Sequence, residues 1–375
     1  MKEIKNVLVT GAGGTVGNYV AQELLSKGYN VTVSDLKDKF MKEWLNIWYE
    51  CRRKGGGILC TFPCDLRNRN LVVELIHVGD FDAVIHCAAL IDISAPKDIL
   101  YAVNYEATHY LYEVAHNYGV KVFVFLSSGA IYDDKGILTE TSRVRASNEY
   151  EKSKIMAEKY LKSNSVRSSS PKVIILRPSL IYGPKNKFLG ANYLAIAIVL
   201  GENLGKALPH LLGGPRTNFV HSKDVARATV FLMEYDKKPL IESGEIFNIS
   251  DNSPMGFGDQ LHAIAKACGY KGNLLPLPLP PAFLINLVHL VYESPIFLKG
   301  SNAVLSHYWK KLVKKYNLVE GFKPEITREM TPFFGKNSEF SNEELHYLGF
   351  RLKYPLFKYG IRDAIAWLRE ARWIP

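Results

Sequence analysis

Short apolar runs alternate with longer amphipathic stretches through the first half of the chain. The apolar and β-branched runs predict six strands, over residues 7–10, 31–34, 58–62, 83–87, 122–126 and 173–176. Apolar residues at helical spacing predict helices over residues 18–27, 41–53, 104–117 and 149–161. Because strands alternate with helices, we expect an α/β fold built on a doubly wound parallel sheet.

The pattern changes after residue 190, where Pro, Gly and aromatic residues become more frequent. Helical spacing persists there in patches, near residues 225–234, 258–268 and 282–292. We therefore predict a Rossmann domain over residues 1–190, to which segments near 219–250 return. Residues 191–375 are expected to form mainly a smaller substrate-binding lobe over the carboxyl edge of the sheet, where open α/β sheets bind ligands.

The composition is that of a globular protein. Of the 375 residues, 47% are hydrophobic and 22% are charged. The formal net charge of +10 favours anionic partners in general, but the basic residues are dispersed and no nucleic-acid-binding motif is present. We therefore expect a small-molecule ligand and no nucleic acid. The five cysteines are odd in number and form no C-x-x-C pair, which disfavours a disulfide framework and predicts a cytoplasmic protein. No histidine shows metal-ligand spacing, so no metal is expected.

Two stretches of the second half bear on membrane contact. Residues 273–292 are uncharged, but four prolines leave only about a dozen residues for a helix, too few to cross a bilayer. A basic run follows, formed by Lys310, Lys311, Lys314 and Lys315. It fits either a solvated helix face or a peripheral contact with anionic lipid headgroups. Both interpretations stay open at this point.

A glycine-rich segment, residues 10–17 (TGAGGTVG), lies between the first predicted strand and the first predicted helix. Gly11 allows a tight turn, Gly14 lets the backbone approach a pyrophosphate, and Gly17 allows close packing of the helix on the strand. The helix N-terminus then faces the phosphates with free N–H groups. The other backbone positions expected at the cofactor are Gly13, Thr15 and Val16. This loop predicts a dinucleotide-binding site.

Asp35 ends the next predicted strand, 18 residues after Gly17. A carboxylate at this position accepts hydrogen bonds from both hydroxyls of an adenosine ribose and repels a 2′-phosphate. Asp35 therefore favours NAD over NADP. Lys37 and Lys39 are the argument for NADP, because a nearby cation could accommodate the phosphate.

Tyr150 and Lys154 are four residues apart on a predicted helix and therefore share one face. A cation one turn away favours the phenolate of a tyrosine, helped by an oxidised nicotinamide. Tyr150 could then take a proton from a substrate alcohol while hydride leaves for the cofactor. Ser128, at the carboxyl end of a predicted strand, can hydrogen-bond the same substrate oxygen.

These motifs, in this order, resemble the extended short-chain dehydrogenases/reductases over nearly the full length of the chain. The resemblance implies catalysis by Ser128, Tyr150 and Lys154, with Tyr150 and Lys154 also contacting the cofactor and Lys154 holding the nicotinamide ribose. It implies further cofactor contacts at Asp65, Leu66, Cys87, Ala88, Ala89, Asn104 and Pro178. Members of this family often form dimers, so a homodimer is expected.

Three departures narrow the chemistry within the family. Gly129 and Ala130 follow Ser128 where sugar-nucleotide dehydratases carry Asp-Glu, which disfavours dehydration. Residues 177–184 read RPSLIYGP and place Leu180 where nucleotide-sugar epimerases have the asparagine that holds the sugar diphosphate. This form is similar to the 3β-hydroxysteroid dehydrogenase-like branch. The apolar stretch 276–292 would suit a lipid-like substrate, whereas Arg216 is expected either on a diphosphate or at the surface.

The leading hypothesis is an NAD-dependent enzyme that interconverts a secondary alcohol and a ketone on a hydrophobic, steroid- or isoprenoid-like substrate. Leu180 and Arg216 are its expected substrate contacts. The alternative is a nucleotide-sugar epimerase with the same three catalytic residues, tightly bound NAD and no net redox. A non-catalytic dinucleotide-binding protein would need neither Tyr150 nor Lys154.

Overall fold

The computed structural model describes residues 4–36, 56–92, 95–186, 189–203, 211–235, 241–270, 277–278, 294–319, 324–326 and 337–375. The helices predicted over residues 41–53 and 282–292 lie outside these ranges, as do Lys37 and Lys39. The other predicted helices and all six predicted strands are present, and the strand over residues 122–126 has the predicted ends, whereas the others are shifted at one or both ends.

The strands are β1 Asn6–Thr10, β2 Asn30–Ser34, β3 Leu59–Thr61, β4 Ala83–His86, β5 Val122–Leu126, β6 Gly136–Leu138, β7 Lys172–Pro178, β8 Leu180–Tyr182, β9 Leu211–Leu212, β10 Arg216–Thr217, β11 Phe219–His221, β12 Glu245–Ile249, β13 Met255–Gly256, β14 Leu277–Pro278 and β15 Ser338–Phe340. The helices are α1 Thr15–Ser26, α2 Arg69–Gly79, α3 Lys97–Tyr101, α4 Ala107–Asn117, α5 Glu149–Asn164, α6 Leu189–Asn203, α7 Ser222–Glu234, α8 Phe257–Ala267, α9 Pro295–Tyr316, α10 Glu343–Tyr347 and α11 Phe357–Glu370. A π-helical turn, Ala102–Glu106, joins α3 to α4.

Seven strands form the central sheet, in the order β12-β7-β5-β4-β1-β2-β3. Every neighbouring pair is parallel. The inner strands are apolar along their whole length because helices cover both faces of a parallel sheet. The predicted α/β fold with a doubly wound parallel sheet is confirmed. Strand order reverses between β1 and β4, and ligands of such sheets bind at this point, outside the carboxyl ends of the strands.

Two hydrophobic layers sandwich the sheet. On one face, α1 and α7 pack with residues such as Val20, Leu24 and Val225. On the other face, α2, α4 and α5 contribute residues such as Leu75 and Leu161. A third apolar cluster lies in the C-terminal half, where α6, α8, α9 and α11 pack together. Among the described helices, none is both long and apolar enough to cross a membrane.

A second sheet joins distant parts of the chain, in the order β13-β10-β15-β6. Strand β6 follows the Ser128 turn, whereas β15 comes from the C-terminal end, and the two pair in parallel with Phe340 opposite Leu138. This pairing brings the C-terminal segment to the carboxyl edge of the central sheet.

Candidate active site

The glycine loop closes tightly against the end of β4. Gly11 has φ 66°, and a Cβ atom built on it would lie 2.5 Å from the backbone nitrogen of Ala88. A Cβ atom on Gly17 would lie 2.3 Å from the carbonyl oxygen of Gly11. Gly14 donates its N–H to the same carbonyl at 3.0 Å. Side chains are therefore excluded at Gly11 and Gly17, and α1 begins directly behind the loop.

The first turn of α1 contains Thr15 and Val16. N–H groups of a first helical turn have no intrahelical acceptor and carry the positive end of the helix dipole. Asp35 lies next to the loop: its Oδ2 accepts the N–H of Gly13 at 2.9 Å, and its Oδ1 accepts the N–H of Leu36 at 2.7 Å. The structure thus brings together the glycine loop and the acid that the sequence predicts for the ribose.

Three buried serine hydroxyls mark the same edge of the sheet. Ser34 ends β2, Ser127 follows β5 and Ser179 follows β7, and none is more than 6% exposed. Within the described residues, none of the three hydroxyls has a hydrogen-bond partner. Buried polar atoms without partners are costly unless a ligand or water satisfies them. These hydroxyls and the glycine loop fit a polar ligand such as a dinucleotide.

Asp65 and Leu66 lie in the turn after β3. Both carboxylate oxygens of Asp65 accept from Arg67, at 2.6 Å from Nη2 and 3.0 Å from Nε. The hydrogen bond with Arg67 lowers the pKa of Asp65. Leu66 is partly buried against the cluster on the α2 face. The side chain of Asp65 is therefore held by Arg67, and the pair stabilises this turn.

His86 is fully buried at the end of β4 and is neutral, since burial lowers its pKa to about 3. Its Nδ1 lies 2.7 Å from the Thr10 hydroxyl, and its Nε2 lies 2.8 Å from the Thr108 hydroxyl. Thr108 donates its hydroxyl proton to the carbonyl of Asn104, so Nε2 must carry the imidazole proton. His86 thereby ties β1, β4 and α4 together beneath the predicted cofactor residues Cys87, Ala88 and Ala89.

Asn104 sits in the π-helical turn, a type of distortion that is frequent at functional sites. Its Oδ1 accepts the N–H of Leu90 at 2.7 Å, and its Nδ2 donates to the carbonyl of Leu90 at 2.9 Å. Nδ2 also donates to the hydroxyl of Ser153 at 3.2 Å. Asn104 therefore positions the backbone after β4 against the helix that carries Tyr150.

Helix α5 has a strong N-terminal cap. The side chain of Asn148 accepts the N–H of Glu151 at 2.9 Å. The carboxylate of Glu151 reaches back to the N–H of Ser147 at 2.6 Å, in the manner of a capping box. Tyr150 lies between these two residues in the first turn. The cap therefore fixes the start of the helix where the tyrosine is, and the positive end of the helix dipole lies close to it.

Ser128 lies close enough to Tyr150 for its hydroxyl to favour the phenolate of the tyrosine. The hydroxyl oxygen of Ser128 accepts the N–H of Ala130 at 3.2 Å, which leaves the hydroxyl proton available for another acceptor. Burial raises the pKa of Tyr150 to about 12, and the nearby Ser128 hydroxyl works against that shift. Burial is thus the largest influence on the pKa of this phenol.

Lys154 lies one helical turn after Tyr150 and is 2% exposed. Its Nζ donates to the carbonyl oxygen of Leu126 at 2.9 Å and lies 4.7 Å from the centre of the Phe125 ring. Burial lowers the pKa of Lys154 to about 8. A charged group with a pKa shifted towards neutrality, at the ligand edge of a sheet, is typical of a catalytic residue.

Sequence reasoning missed one aromatic residue at this site. A Cβ atom on Gly129 would lie 2.4 Å from the Phe340 ring and 2.8 Å from the carbonyl oxygen of Pro178. Position 129, next to Ser128, therefore has no room for a side chain, and Phe340 and Pro178 border it. No local sequence signal points to Phe340, because a strand pairing between distant segments brings it there.

The two predicted substrate residues lie in different surroundings. Leu180, in β8, is partly buried against the third apolar cluster. Arg216, in β10, is exposed and pairs with Glu339 (Nε–Oε1, 2.7 Å), and its Nη2 donates to the carbonyl of Pro254 at 3.1 Å. The side chain of Arg216 is thus engaged by the neighbouring strand and loop.

The parallel sheet and its strand order define a Rossmann-type protein. A model of the NAD dependent epimerase/dehydratase family matches residues 7–250. UDP-glucose 4-epimerase 2 of Arabidopsis thaliana is 34% identical over 288 residues, which cover 71% of this chain and 82% of that protein. The chain therefore belongs to the NAD dependent epimerase/dehydratase family, and NAD is the cofactor of that family.

The chain is also similar to a sterol dehydrogenase and to a UDP-glucose 4-epimerase of known structure. The decarboxylating sterol-4-alpha-carboxylate 3-dehydrogenase of Dictyostelium discoideum is 26% identical over 306 residues, 77% of this chain and 84% of that protein. The crystal structure of a Thermus thermophilus UDP-glucose 4-epimerase in complex with NAD has a TM-score of 0.65 and 24% identity, and covers 97% of this chain and 99% of its own. The structural likeness shows the shared fold.

Proposed function

We propose that the protein is an NAD-dependent oxidoreductase that interconverts a secondary alcohol and a ketone. The observation that carries this proposal is the placement of Ser128 next to Tyr150, with the buried amine of Lys154 one helical turn further along α5. These groups lie at the edge of the sheet that also carries the glycine loop. The bound nicotinamide would supply or accept the hydride.

Each polar side chain then has a distinct task. The phenolic oxygen of Tyr150 takes the proton from the substrate alcohol, or returns it to the ketone. The Ser128 hydroxyl hydrogen-bonds the same substrate oxygen. Because the pKa of Tyr150 is about 12, the side chain is protonated at neutral pH and is ready to act as the acid. Acting as a base requires a positive field, which Lys154 and the N-terminus of α5 provide.

We assign the cofactor contacts to the glycine loop, Asp35 and the backbone after β4. The exclusion of side chains at Gly11 and Gly17 supports a close approach of phosphates to α1. Replacing Asp35 with Ala is expected to lower the preference for NAD over NADP in equilibrium binding. An unchanged ratio of the two dissociation constants would contradict the ribose assignment.

We infer that the substrate is hydrophobic, in the manner of the 3β-hydroxysteroid dehydrogenase-like branch. Leu180 offers no hydrogen bond to a diphosphate, Phe340 presents an aromatic ring beside Ser128, and Arg216 is paired with Glu339. The similarity to the Dictyostelium sterol-4-alpha-carboxylate 3-dehydrogenase supports a polycyclic substrate.

The direct test of the mechanism is the Tyr150→Phe variant. Loss of the acid/base group is expected to lower turnover by about a hundredfold to ten-thousandfold while the affinity for NAD stays nearly the same. Turnover and NAD binding are measured on the same preparation. Unchanged turnover in Tyr150→Phe would refute the proposed role.

A nucleotide-sugar epimerase is the second candidate, supported by the 34% identity to the Arabidopsis UDP-glucose 4-epimerase. This activity uses the same Tyr150 step but gives no net NADH. Calorimetric titration of the wild type with UDP-sugars separates the two candidates. Tight binding would favour the epimerase, whereas binding that appears only after Leu180→Asn would favour the hydrophobic substrate.

A further inference from the structure

Helix α9 is anchored to the C-terminal half through one face. Leu305, Trp309 and Leu312 are buried in the third apolar cluster, against α6. Tyr316 donates its hydroxyl to Glu202 of α6 at 2.5 Å. The Asn302 amide exchanges two hydrogen bonds with the backbone of Ile326, at 2.8 and 2.9 Å. These contacts fix which residues of the helix face solvent.

The N-terminal half of the outward face is mainly apolar and contains one exposed lysine, Lys299. Ile296 is 84% exposed and lies opposite the buried leucines, and Val304 is 58% exposed on the flank of the same outward surface. Ala303 is exposed between them. Single apolar residues on a surface are ordinary, but these lie together on one side of one helix.

The C-terminal half of the same face is basic. Lys310, Lys311, Lys314 and Lys315 are exposed. The 22-residue helix contains five lysines and neither Asp nor Glu. Lys315 reaches Glu202 at 3.4 Å but stays 61% exposed. One solvent-facing surface therefore combines an apolar end with a cationic end.

The chemistry of this surface selects among occupants. A soluble anion would use the lysines but leave Ile296 and Val304 in water. A second copy of this chain would bring five more lysines to the interface, without any acidic residue from the same helix. An anionic lipid bilayer satisfies both ends, since its headgroups attract lysines and its acyl boundary accepts apolar side chains.

We propose that the outward face of α9 docks on an anionic membrane surface. Ile296 and Val304 enter the boundary between headgroups and acyl chains, while the lysines contact the headgroups and the helix lies parallel to the surface. The proposal rests on the helix alone and does not depend on which substrate the enzyme uses.

The test is flotation of the full-length protein with vesicles of phosphatidylcholine alone or mixed with phosphatidylglycerol. We expect the protein to bind only the mixed vesicles, and we expect added salt to weaken this binding. The Lys310→Gln/Lys314→Gln variant should bind about 30-fold more weakly. The Ile296→Ser/Val304→Ser variant should lose about tenfold or more. The control for the lysine variant is Lys266→Gln/Lys358→Gln, which removes two exposed lysines from α8 and α11 and should bind like the wild type.

Four outcomes would overturn the proposal. The first is no binding to the mixed vesicles. The second is equal weakening by the control pair, which would mean attraction by overall net charge. The third is an unchanged affinity of the Ile296→Ser/Val304→Ser variant, which would mean that the lysines alone attract the anionic surface and that no apolar side chain enters it. The fourth is a dimer in analytical ultracentrifugation that these two serines dissociate, without vesicle binding, which would assign the face to a second copy.

Discussion

Two buried cations on neighbouring elements have opposite surroundings. Arg177, at the end of β7, is 4% exposed and forms a two-pronged ion pair with Glu158, at 2.6 and 3.0 Å. Its Nη1 also donates to the Tyr132 hydroxyl at 3.0 Å. Lys154 is 2% exposed, yet across the ranges that the structure covers it forms no ion pair and donates to the carbonyl of Leu126.

One helix face links the two regions. Tyr150, Lys154 and Glu158 follow one another at intervals of four residues along α5. Burial opposes the charge of Arg177, but the hydrogen bonds and negative charge of Glu158, together with Tyr132, outweigh burial and raise the pKa of Arg177. Burial lowers the pKa of Lys154 to about 8. The Arg177 region therefore holds the fold together, whereas the Lys154 region keeps a cation at a cost in stability, as functional sites often do.

Removing the counter-charge of Arg177 should have the largest effect on stability. Glu158→Gln leaves the guanidinium of Arg177 buried without a counter-charge, which is expected to lower the free energy of unfolding by about 3–5 kcal/mol. Urea denaturation followed by circular dichroism measures this change. The control is Lys27→Gln, which breaks the exposed pair with Glu234 and should cost less than about 1 kcal/mol. Similar losses in both variants would contradict the contrast.

Removing the cation of Lys154 should lower activity without lowering stability. Lys154→Met is expected to lower turnover by about a hundredfold or more. Its free energy of unfolding should not fall, because a pKa near 8 in place of 10.5 corresponds to roughly 3 kcal/mol of burial cost. Steady-state rates and urea denaturation are measured in parallel. An unfolded variant would show that Lys154 is structural.

The pH dependence of stability tests whether the pKa of Lys154 is lowered in the folded protein. The folded-state pKa of Lys154 lies below its ordinary value of 10.5, so between pH 8 and 10.5 the unfolded chain binds a proton that the folded chain does not. In this window the stability of the wild type should therefore rise with pH relative to Lys154→Met. Denaturation of both proteins across the window measures the gap, and a constant gap would mean that the pKa of Lys154 is not lowered.

The smallest effect is expected at Arg216. Its pair with Glu339 is exposed, so Arg216→Ala should change stability by less than about 1 kcal/mol. If the substrate is hydrophobic, KM should also change little. A large rise in KM for a UDP-sugar would instead place Arg216 on a diphosphate and favour the epimerase.

The central sheet was predictable because buried parallel strands are continuous apolar runs. Each of the six predicted strands lies within two residues of the observed ends. Helix α2 was missed, although Asn68 caps it and Val72, Leu75 and Ile76 are buried at helical spacing. Its run LVVELI fits a strand equally well, so the local pattern is ambiguous.

The site was predictable where motifs are local and was not where contacts are distant. The glycine loop and Asp35 meet as their sequence order implies, since both follow neighbouring parallel strands. Phe340 reaches Gly129 through the pairing of β6 with β15, which no local pattern encodes. The spacing of Tyr150 and Lys154 fixes a shared face, but it does not reveal that burial dominates the pKa of the tyrosine.

The reaction that we propose is net oxidation of a hydrophobic alcohol, in which Tyr150 takes the proton of the hydroxyl group. The most direct test measures NADH formation from NAD with two substrate pools, one of hydroxysteroids and polyprenyl alcohols and one of nucleotide sugars. We expect NADH with the first pool, formed at least about a hundredfold more slowly by Tyr150→Phe. Interconversion of nucleotide sugars without net NADH would contradict it and identify an epimerase.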